Sequence, residues 1–341
     1  MITFADIKGN PSAVASLRAM ADSRRVPHAL MLYENPRGGG MALAVAFLSY
    51  LYCEYPVDGH SCGQCPSCLQ MAKLVHPDVH FVFPVNKGDV IKSDKPLSNM
   101  AVKEFRELFL RDPFFSEQQL YDALGIDSKV GVISVLEAKE IIGELSLSSV
   151  AGGYKSVVMF LPERMNAQAA NKLLKILEEP PEDTVFMLVT QNPDEVMGTI
   201  FSRCQAIRVL PSGRESFVVA TDYPEIEAIW QQLLECLLAK DLLGSLECAD
   251  KVEALKSREK QKAFCNFASQ QLRAIFMYSR SLGDIAYAER TPLSDSAAAC
   301  FKSGFYPRAA SALDRASMLI GGNVSAKMVF TDLVNRLFVN L

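Results

Sequence analysis

The chain has 341 residues, of which 49% are hydrophobic and 22% charged, with a formal net charge of −4. That length exceeds one ordinary domain and implies two or three, with enough apolar residue to build cores without disulfide support. The acidic balance argues against a protein that grips nucleic acid by itself, since neutralising phosphates takes clustered Lys and Arg; DNA contact shared with other chains stays open.

Met1-Ile2-Thr3-Phe4-Ala5-Asp6 has neither the basic start nor the apolar core of an export signal. The longest apolar run, Met41 to Leu48, falls far short of the ~20 residues that a membrane span needs. A reducing, cytoplasmic setting with no membrane partner is therefore expected. Thiols clustered in such a setting bind metal more often than they pair.

Taken in order, Asn10 and Pro11 form a good helix start, a side-chain acceptor at the cap followed by a residue that needs no donor. Val14, Leu17 and Met20 continue one apolar face. Ala29 to Tyr33 is a buried strand, followed by a glycine-rich turn and an apolar helix from Met41 to Tyr52. Further short apolar runs are Val79–Phe83, Ser156–Leu161, Thr184–Val189 and Ala206–Val209, most of them separated by helical segments. This pattern predicts a parallel sheet wrapped by crossover helices, one α/β domain over residues 1–210. Within it, 86–130 carries Lys, Asp, Ser and Pro and then a helix around Val102 to Leu110; a charged connector and an inserted subdomain both fit. Beyond Pro211 the strand pattern ends. Ile226, Ile229, Trp230, Leu233, Leu234 and Leu237 recur at helical spacing, as do Phe264, Phe267, Ala268, Leu272, Ile275 and Phe276, and later Val324, Met328, Leu333 and Leu337. Residues 226–341 are predicted to be all-helical, with 211–225 as the connection.

Cys53, Cys62, Cys65 and Cys68 are spaced as overlapping Cys-x-x-Cys turns with Gly63 and Pro66 supplying turn chemistry. Four thiolates suit tetrahedral zinc and fill its shell, so a structural zinc module at 53–68 is expected rather than a catalytic one. His60 and His76 lie nearby as weaker candidates. Cys204, Cys236, Cys248, Cys265 and Cys300 are scattered, and four of them read as small hydrophobes.

Strand, glycine-rich turn and helix from Leu32 to Phe47 have the layout of a phosphate-binding loop. A working loop needs Lys for the outer phosphates and Ser or Thr for magnesium. Here the residues are Asn35-Pro36-Arg37-Gly38-Gly39-Gly40-Met41-Ala42, so Met41 stands in place of Lys and Ala42 in place of the hydroxyl. After Val157-Val158-Met159, Phe160 and Leu161 hold the places of the magnesium-binding and catalytic acids. Glu163 serves instead only under a different strand register. ATP hydrolysis by this chain is not expected.

Val26-Pro27-His28-Ala29-Leu30, the cysteine cluster, His76-Pro77-Asp78, the run from Asn166 to Pro181 with its Leu173-Leu174-Lys175-Ile176-Leu177-Glu178-Glu179-Pro180-Pro181, Thr190-Gln191-Asn192-Pro193 and Ser202-Arg203-Cys204-Gln205 together resemble the bacterial clamp-loader family, of AAA+ type. The lost phosphate chemistry beside retained cysteines resembles its delta-prime branch within DNA polymerase III rather than its ATPase branch. The resemblance implies an AAA+-type domain plus a helical collar for oligomerisation. It also implies a hetero-pentamer with the ATPase subunit and the delta subunit, and action on a sliding clamp and primed DNA through that complex. Arg203 matches the family's Ser-Arg-Cys arginine finger, a planar, permanently charged fork that acts on a neighbour's γ-phosphate; a surface arginine at a strand edge is the plainer alternative. Lys172 and Lys175 suit a solvated helix face, or contact with DNA or a partner, and His28 suits a structural role. Only Pro211 to Pro224 stands where the family carries a small lid, so the lid is truncated, with Gly213-Arg214-Glu215 as its remnant, or is missing from this sequence. The rival readings are an active ATPase subunit of the same fold and a zinc-ribbon nucleic-acid-binding protein.

Overall fold

In the computed structural model, which describes residues 1–34, 38–126, 130–210, 224–255, 257–282, 290–322 and 324–341, five short apolar runs become five parallel strands. They are β1 Ala29–Tyr33, β2 Val79–Val82, β3 Lys155–Phe160, β4 Thr184–Thr190 and β5 Gln205–Arg208. Their spatial order is β2-β3-β4-β1-β5, so β1 lies inside the sheet and β5 at an edge. The connecting helices are α1 Pro11–Asp22, α2 Gly40–Leu51, α3 Pro66–Ala72, α4 Val102–Arg111, α5 Glu117–Leu124, α6 Val135–Ser146, α7 Ala167–Glu178 and α8 Gly198–Phe201.

The two-residue period of a strand sorts its side chains to opposite faces. Leu30, Leu32, Val158, Phe160, Val185, Met187 and Val189 share one core with α2, α4 and α5. Ala29, Met31, Val157, Met159, Phe186 and Leu188 share another with α6 and α7. The result is a three-layer α/β/α unit, as the apolar runs predicted. Helix α2 is buried throughout from Gly40 to Tyr50, which its lack of any charged residue permits. Asn166 caps α7 as expected, accepting the amide of Ala169 at 2.8 Å.

Asn10 departs from its predicted role. It does not cap α1 with its side chain. Instead it is buried and exchanges hydrogen bonds with the backbone of Leu210, whose amide donates to Asn10 Oδ1 at 2.6 Å and whose carbonyl accepts from Nδ2. One side chain thus pairs with both backbone polar groups of a distant residue, which a cap of α1 cannot do.

Between 86 and 130 the described residues include helices α4 and α5, which pack into the first core. Phe105 stacks on Phe83 at 4.6 Å and meets Phe115 edge-on at 5.8 Å. Residues 127–129 lie outside the described set.

The chain divides into two compact units, Met1–Ser216 and Phe217–Leu341. The second contains α9 Pro224–Ala239, α10 Leu242–Glu253, α11 Arg258–Ser279, α12 Pro292–Cys300, α13 Phe305–Gly321 and α14 Ala326–Val339. Trp230, Leu233, Leu237, Phe264, Phe305 and Phe330 are among its buried core residues. In α14 the buried stripe is Val329, Phe330, Leu333, Val334 and Leu337, whereas Met328 is 70% exposed and Val324, ahead of the helix, is 41% exposed. Those two belonged to the predicted apolar repeat; Met328 sits one residue off the stripe and turns to the opposite side. Most of the predicted connection, 211–223 with Gly213-Arg214-Glu215, lies outside the described residues. Among the described residues no helix is long and apolar enough to cross a membrane.

Candidate functional site

In an open parallel sheet the crevice at the carboxyl ends of the strands is where ligands bind. Here the ends of β1, β3 and β4 meet the amino end of α2. Asn35, Pro36 and Arg37 of the predicted phosphate loop lie outside the described residues. Gly39 sits at φ 90°, a left-handed conformation that glycine adopts without strain, and it turns the chain into α2. Met41 and Ala42 are 3% and 0% exposed and belong to the core, so neither the Lys nor the hydroxyl position presents a polar group to the loop.

Phe160 and Leu161, at the end of β3, are buried as well. Phe160 packs edge-on against Phe115 of the insertion, centroids 5.1 Å apart. Leu161 is buried at φ 57°, its amide donating to Val189 at 2.8 Å. The register pairs Phe160 with Val189, which leaves Glu163 beyond the strand in a short 3-10 turn. Its Oε2 accepts from Thr190 Oγ1 at 2.8 Å, and its Oε1 accepts from the amides of Gln191 at 2.9 Å and Asn192 at 3.1 Å. Glu163 therefore ties the ends of β3 and β4 together, and burial lifts its carboxyl above the ordinary range despite those bonds. The next residue, Arg164, makes a two-bonded ion pair with Glu117 of α5, at 2.7 and 2.9 Å, fixing the insertion to the same strand end.

Sequence reasoning missed Glu34. Its amide donates to Thr190 at 3.0 Å, extending the β1–β4 pairing by one residue. Its side chain is buried and Oε2 accepts the amide of Gly40, the first residue of α2. Burial drives this carboxyl up to about 8, against the opposing pull of the Gly40 amide and with the nearby Glu163 acting in the same upward direction. An acid directly ahead of a glycine-rich turn was the available signal.

The four cysteines converge. The Cys53, Cys62, Cys65 and Cys68 sulfurs all lie within 4.8 Å of one another, and the Cys62 and Cys68 sulfurs are 3.9 Å apart. A Zn–S bond of about 2.3 Å puts sulfurs about 3.8 Å apart in a tetrahedron, so the set fits. Asp58 and Gly59, both at positive φ, close a two-residue hairpin between Val57 and His60 that returns the chain to Cys62. Amides serve the sulfurs directly: Cys62 donates to Cys53 at 3.2 Å, and Cys65 to Cys62 at 3.4 Å. Backbone hydrogen bonds from Gln64 and Cys65 draw the Cys62 thiol down to about 6, whereas burial pushes the Cys53 and Cys68 thiols up. His60 and His76 are outside this group. His76 instead lies tilted against the Tyr52 ring, centroids 4.4 Å apart, and accepts the Asp78 amide at Nδ1, 3.3 Å away. Asp78 accepts the amides of Val150 and Ala151 at 2.7 and 2.8 Å.

Arg203 follows α8 and precedes the edge strand β5. Its side chain is 34% exposed, with Nη1 donating to Thr199 O at 2.7 Å and Nη2 paired with Glu178 Oε1. Cys204 behind it donates its thiol to Ile200 O at 3.3 Å. Lys172 and Lys175 are exposed on α7, and His28 contributes its carbonyl, which accepts the Phe186 amide at 2.7 Å.

A five-stranded parallel sheet whose first strand leads through a glycine turn into a buried helix, with a convergent cysteine cluster beyond that helix, defines an α/β protein of nucleotide-loop layout. The chain belongs to the DNA polymerase III delta-subunit family: the family described as "DNA polymerase III, delta subunit" matches residues 9–212. It is 29% identical over 177 residues to the DNA polymerase III subunit delta' of Pseudomonas aeruginosa, covering 52% of this chain and 41% of that protein. The subunit delta' of Escherichia coli (strain K12) is 29% identical over 195 residues, 57% of this chain and 46% of the other. A DNA polymerase III subunit gamma/tau of Mycobacterium bovis is 28% identical over 212 residues, 61% of this chain and 29% of the other. The match spans less than half the length of each of these relatives. The family is the one that the sequence motifs resembled.

Proposed function

We propose that the chain is a non-catalytic subunit of a replicative clamp loader, assembling with the ATPase subunit and the delta subunit and helping to set a sliding clamp on primed DNA. In this reading Arg203 acts in trans on the ATP site of a neighbouring ATPase subunit, the helical unit serves as the collar, and the protein works in the cytoplasm. The observation that carries it is the contrast between Arg203 and the chain's own loop. The loop has apolar residues at its Lys, hydroxyl and acidic positions, while a half-exposed arginine stands at the sheet edge with no phosphate site of its own to serve. A guanidinium there supplies planar donors to charge developing on a phosphate bound next door.

Cys53, Cys62, Cys65 and Cys68 would hold one zinc ion, whose four-thiolate shell leaves no open position for chemistry and makes the site structural. The chain's contribution is to bring three of the sulfurs onto one turn ahead of and into α3 and the fourth from the end of α2.

The test is reconstitution with the family's ATPase and delta subunits. Purified alone, the chain should show no ATP turnover; added to the partners, it should assemble stoichiometrically and raise DNA- and clamp-stimulated turnover. ATP turnover by the chain alone that disappears on mutating its own loop identifies an active ATPase subunit instead. Failure to enter the complex removes the proposal altogether.

A further inference from the structure

The amino end of α2 is the part of a phosphate loop that binds the anion. Its first amides have no partner within the helix, and the helix dipole adds positive charge there. In this chain a carboxylate group already stands at that place. Glu34, from the end of β1, folds back so that Oε2 accepts the Gly40 amide. The residue is 7% exposed. The fit is close: a Cβ added at Gly40 would lie 3.0 Å from that same oxygen and 2.8 Å from Val189 Cγ1, so only glycine lets the carboxyl approach the backbone this way.

The surroundings are built for this internal group and not for a polyphosphate. Met41 and Ala42 send no cation or hydroxyl to the loop, being packed in the core. Glu163 faces the same space from the end of β3 with three donors of its own, so the second acid opposes a further anion. A phosphate in this setting would have to displace the Glu34 carboxyl from its binding amide and would meet Glu163 beside it. Glu34 itself escapes that repulsion by holding a proton, which substitutes for the Lys and magnesium charges that a working loop supplies.

We propose that Glu34 is an intramolecular stand-in for phosphate that closes the vestigial loop, so that the chain holds no nucleotide at any stage of its work. The inference deepens the non-catalytic reading and rests on it, but it concerns binding rather than turnover. A non-catalytic subunit can still carry a bound nucleotide, and Glu34 is what prevents it here.

The experiment is calorimetric titration of the full chain with pyrophosphate, ADP and magnesium ATP, alongside hydrogen exchange at the Gly40 amide. The wild type should bind none of the three at millimolar ligand, and its Gly40 amide should be protected equally with and without them. Glu34→Ala should bind pyrophosphate or ADP at least roughly tenfold more tightly than the wild type, since the helix amides are then free. Glu34→Gln, which keeps the shape and one acceptor, should stay closed. A folded Glu34→Ala chain that binds no better than wild type overturns the proposal. So does wild type whose Gly40 amide gains protection on adding ADP, an outcome that needs no variant. Binding without turnover by the wild type sinks the plug and leaves the non-catalytic reading standing; turnover by the wild type sinks that reading.

Discussion

The Phe115 ring meets the Phe160 ring edge-on at 5.1 Å, joining the inserted helices to the strand position where a nucleotide-hydrolysing site carries its magnesium-binding acid. Phe115 and Phe160 thus belong to one core. Phe160 continues an aromatic chain that runs back through Phe115 and Phe105 to Phe83. An aspartate at that position would lie among these rings.

Phe160→Asp should therefore not restore metal or nucleotide chemistry. It should destabilise the first unit by about 3 kcal/mol or more, from the lost aromatic side chain and a buried acid without a partner. Phe115→Ala, 3% exposed in the native chain, should cost about 3 kcal/mol by leaving a cavity beside Phe160. Urea unfolding followed by circular dichroism checks both. A loss below about 1 kcal/mol for either shows that the insertion is only loosely seated.

Removing the metal tests the cysteine cluster. Protein prepared without added zinc should contain about one equivalent, because four thiolates retain the ion at ordinary zinc levels. Cys65→Ser should lower that content to near zero and raise hydrogen exchange across Pro66–Ala72, while the helical unit stays protected. Well-folded protein with no metal and a protected α3 means that the sulfurs are packed thiols.

Arg203→Ala should leave the fold and assembly intact, since its partners are one surface carboxylate and one carbonyl. Clamp- and DNA-stimulated ATP turnover of the assembled loader should fall, because a trans arginine is worth ~10³-fold or more at the site it completes. The fall should be partial if other sites in the ring carry their own arginines. Arg203→Lys should rescue little, lacking the planar fork. Glu178→Gln should have a smaller effect, loosening the guanidinium without removing it. Wild-type turnover and clamp loading in the Arg203→Ala complex would leave Arg203 a structural surface residue.

Stability should carry a pH signature from Glu34. Burial raises its carboxyl from an ordinary 4.5 to about 8. Below the unfolded value both states are protonated and nothing is lost. Between the two values the unfolded chain ionises while the folded chain stays neutral, so stability falls as pH rises, by up to about 1.4 kcal/mol per pH unit. Glu163, also raised, acts in the same direction. Glu34→Gln does not titrate, so its unfolding free energy relative to wild type should climb from acid to neutral pH. A pH-independent difference between the two proteins would show that Glu34 is ionised in the folded state.

Much of the fold was legible because strands and helices announce themselves locally. Runs such as Thr184–Val189 have the length and β-branched or aromatic content of strands buried on both faces, and the Asn166 cap acts over three residues. The convergence of the four cysteines was equally local, since it is built from turns whose geometry a few residues set. Met41, Ala42, Phe160 and Leu161 were apolar by identity alone, and all four are buried. Tertiary structure decided what filled the space left behind. Asn10 abandons a helix cap for Leu210, two hundred positions along the chain. Glu163 spends its oxygens on Thr190, Gln191 and Asn192, and Glu34 turns back onto Gly40. A polar side chain buried by folding must find whatever donors the assembled strands bring within reach, and that choice depends on packing between distant segments rather than on sequence neighbours.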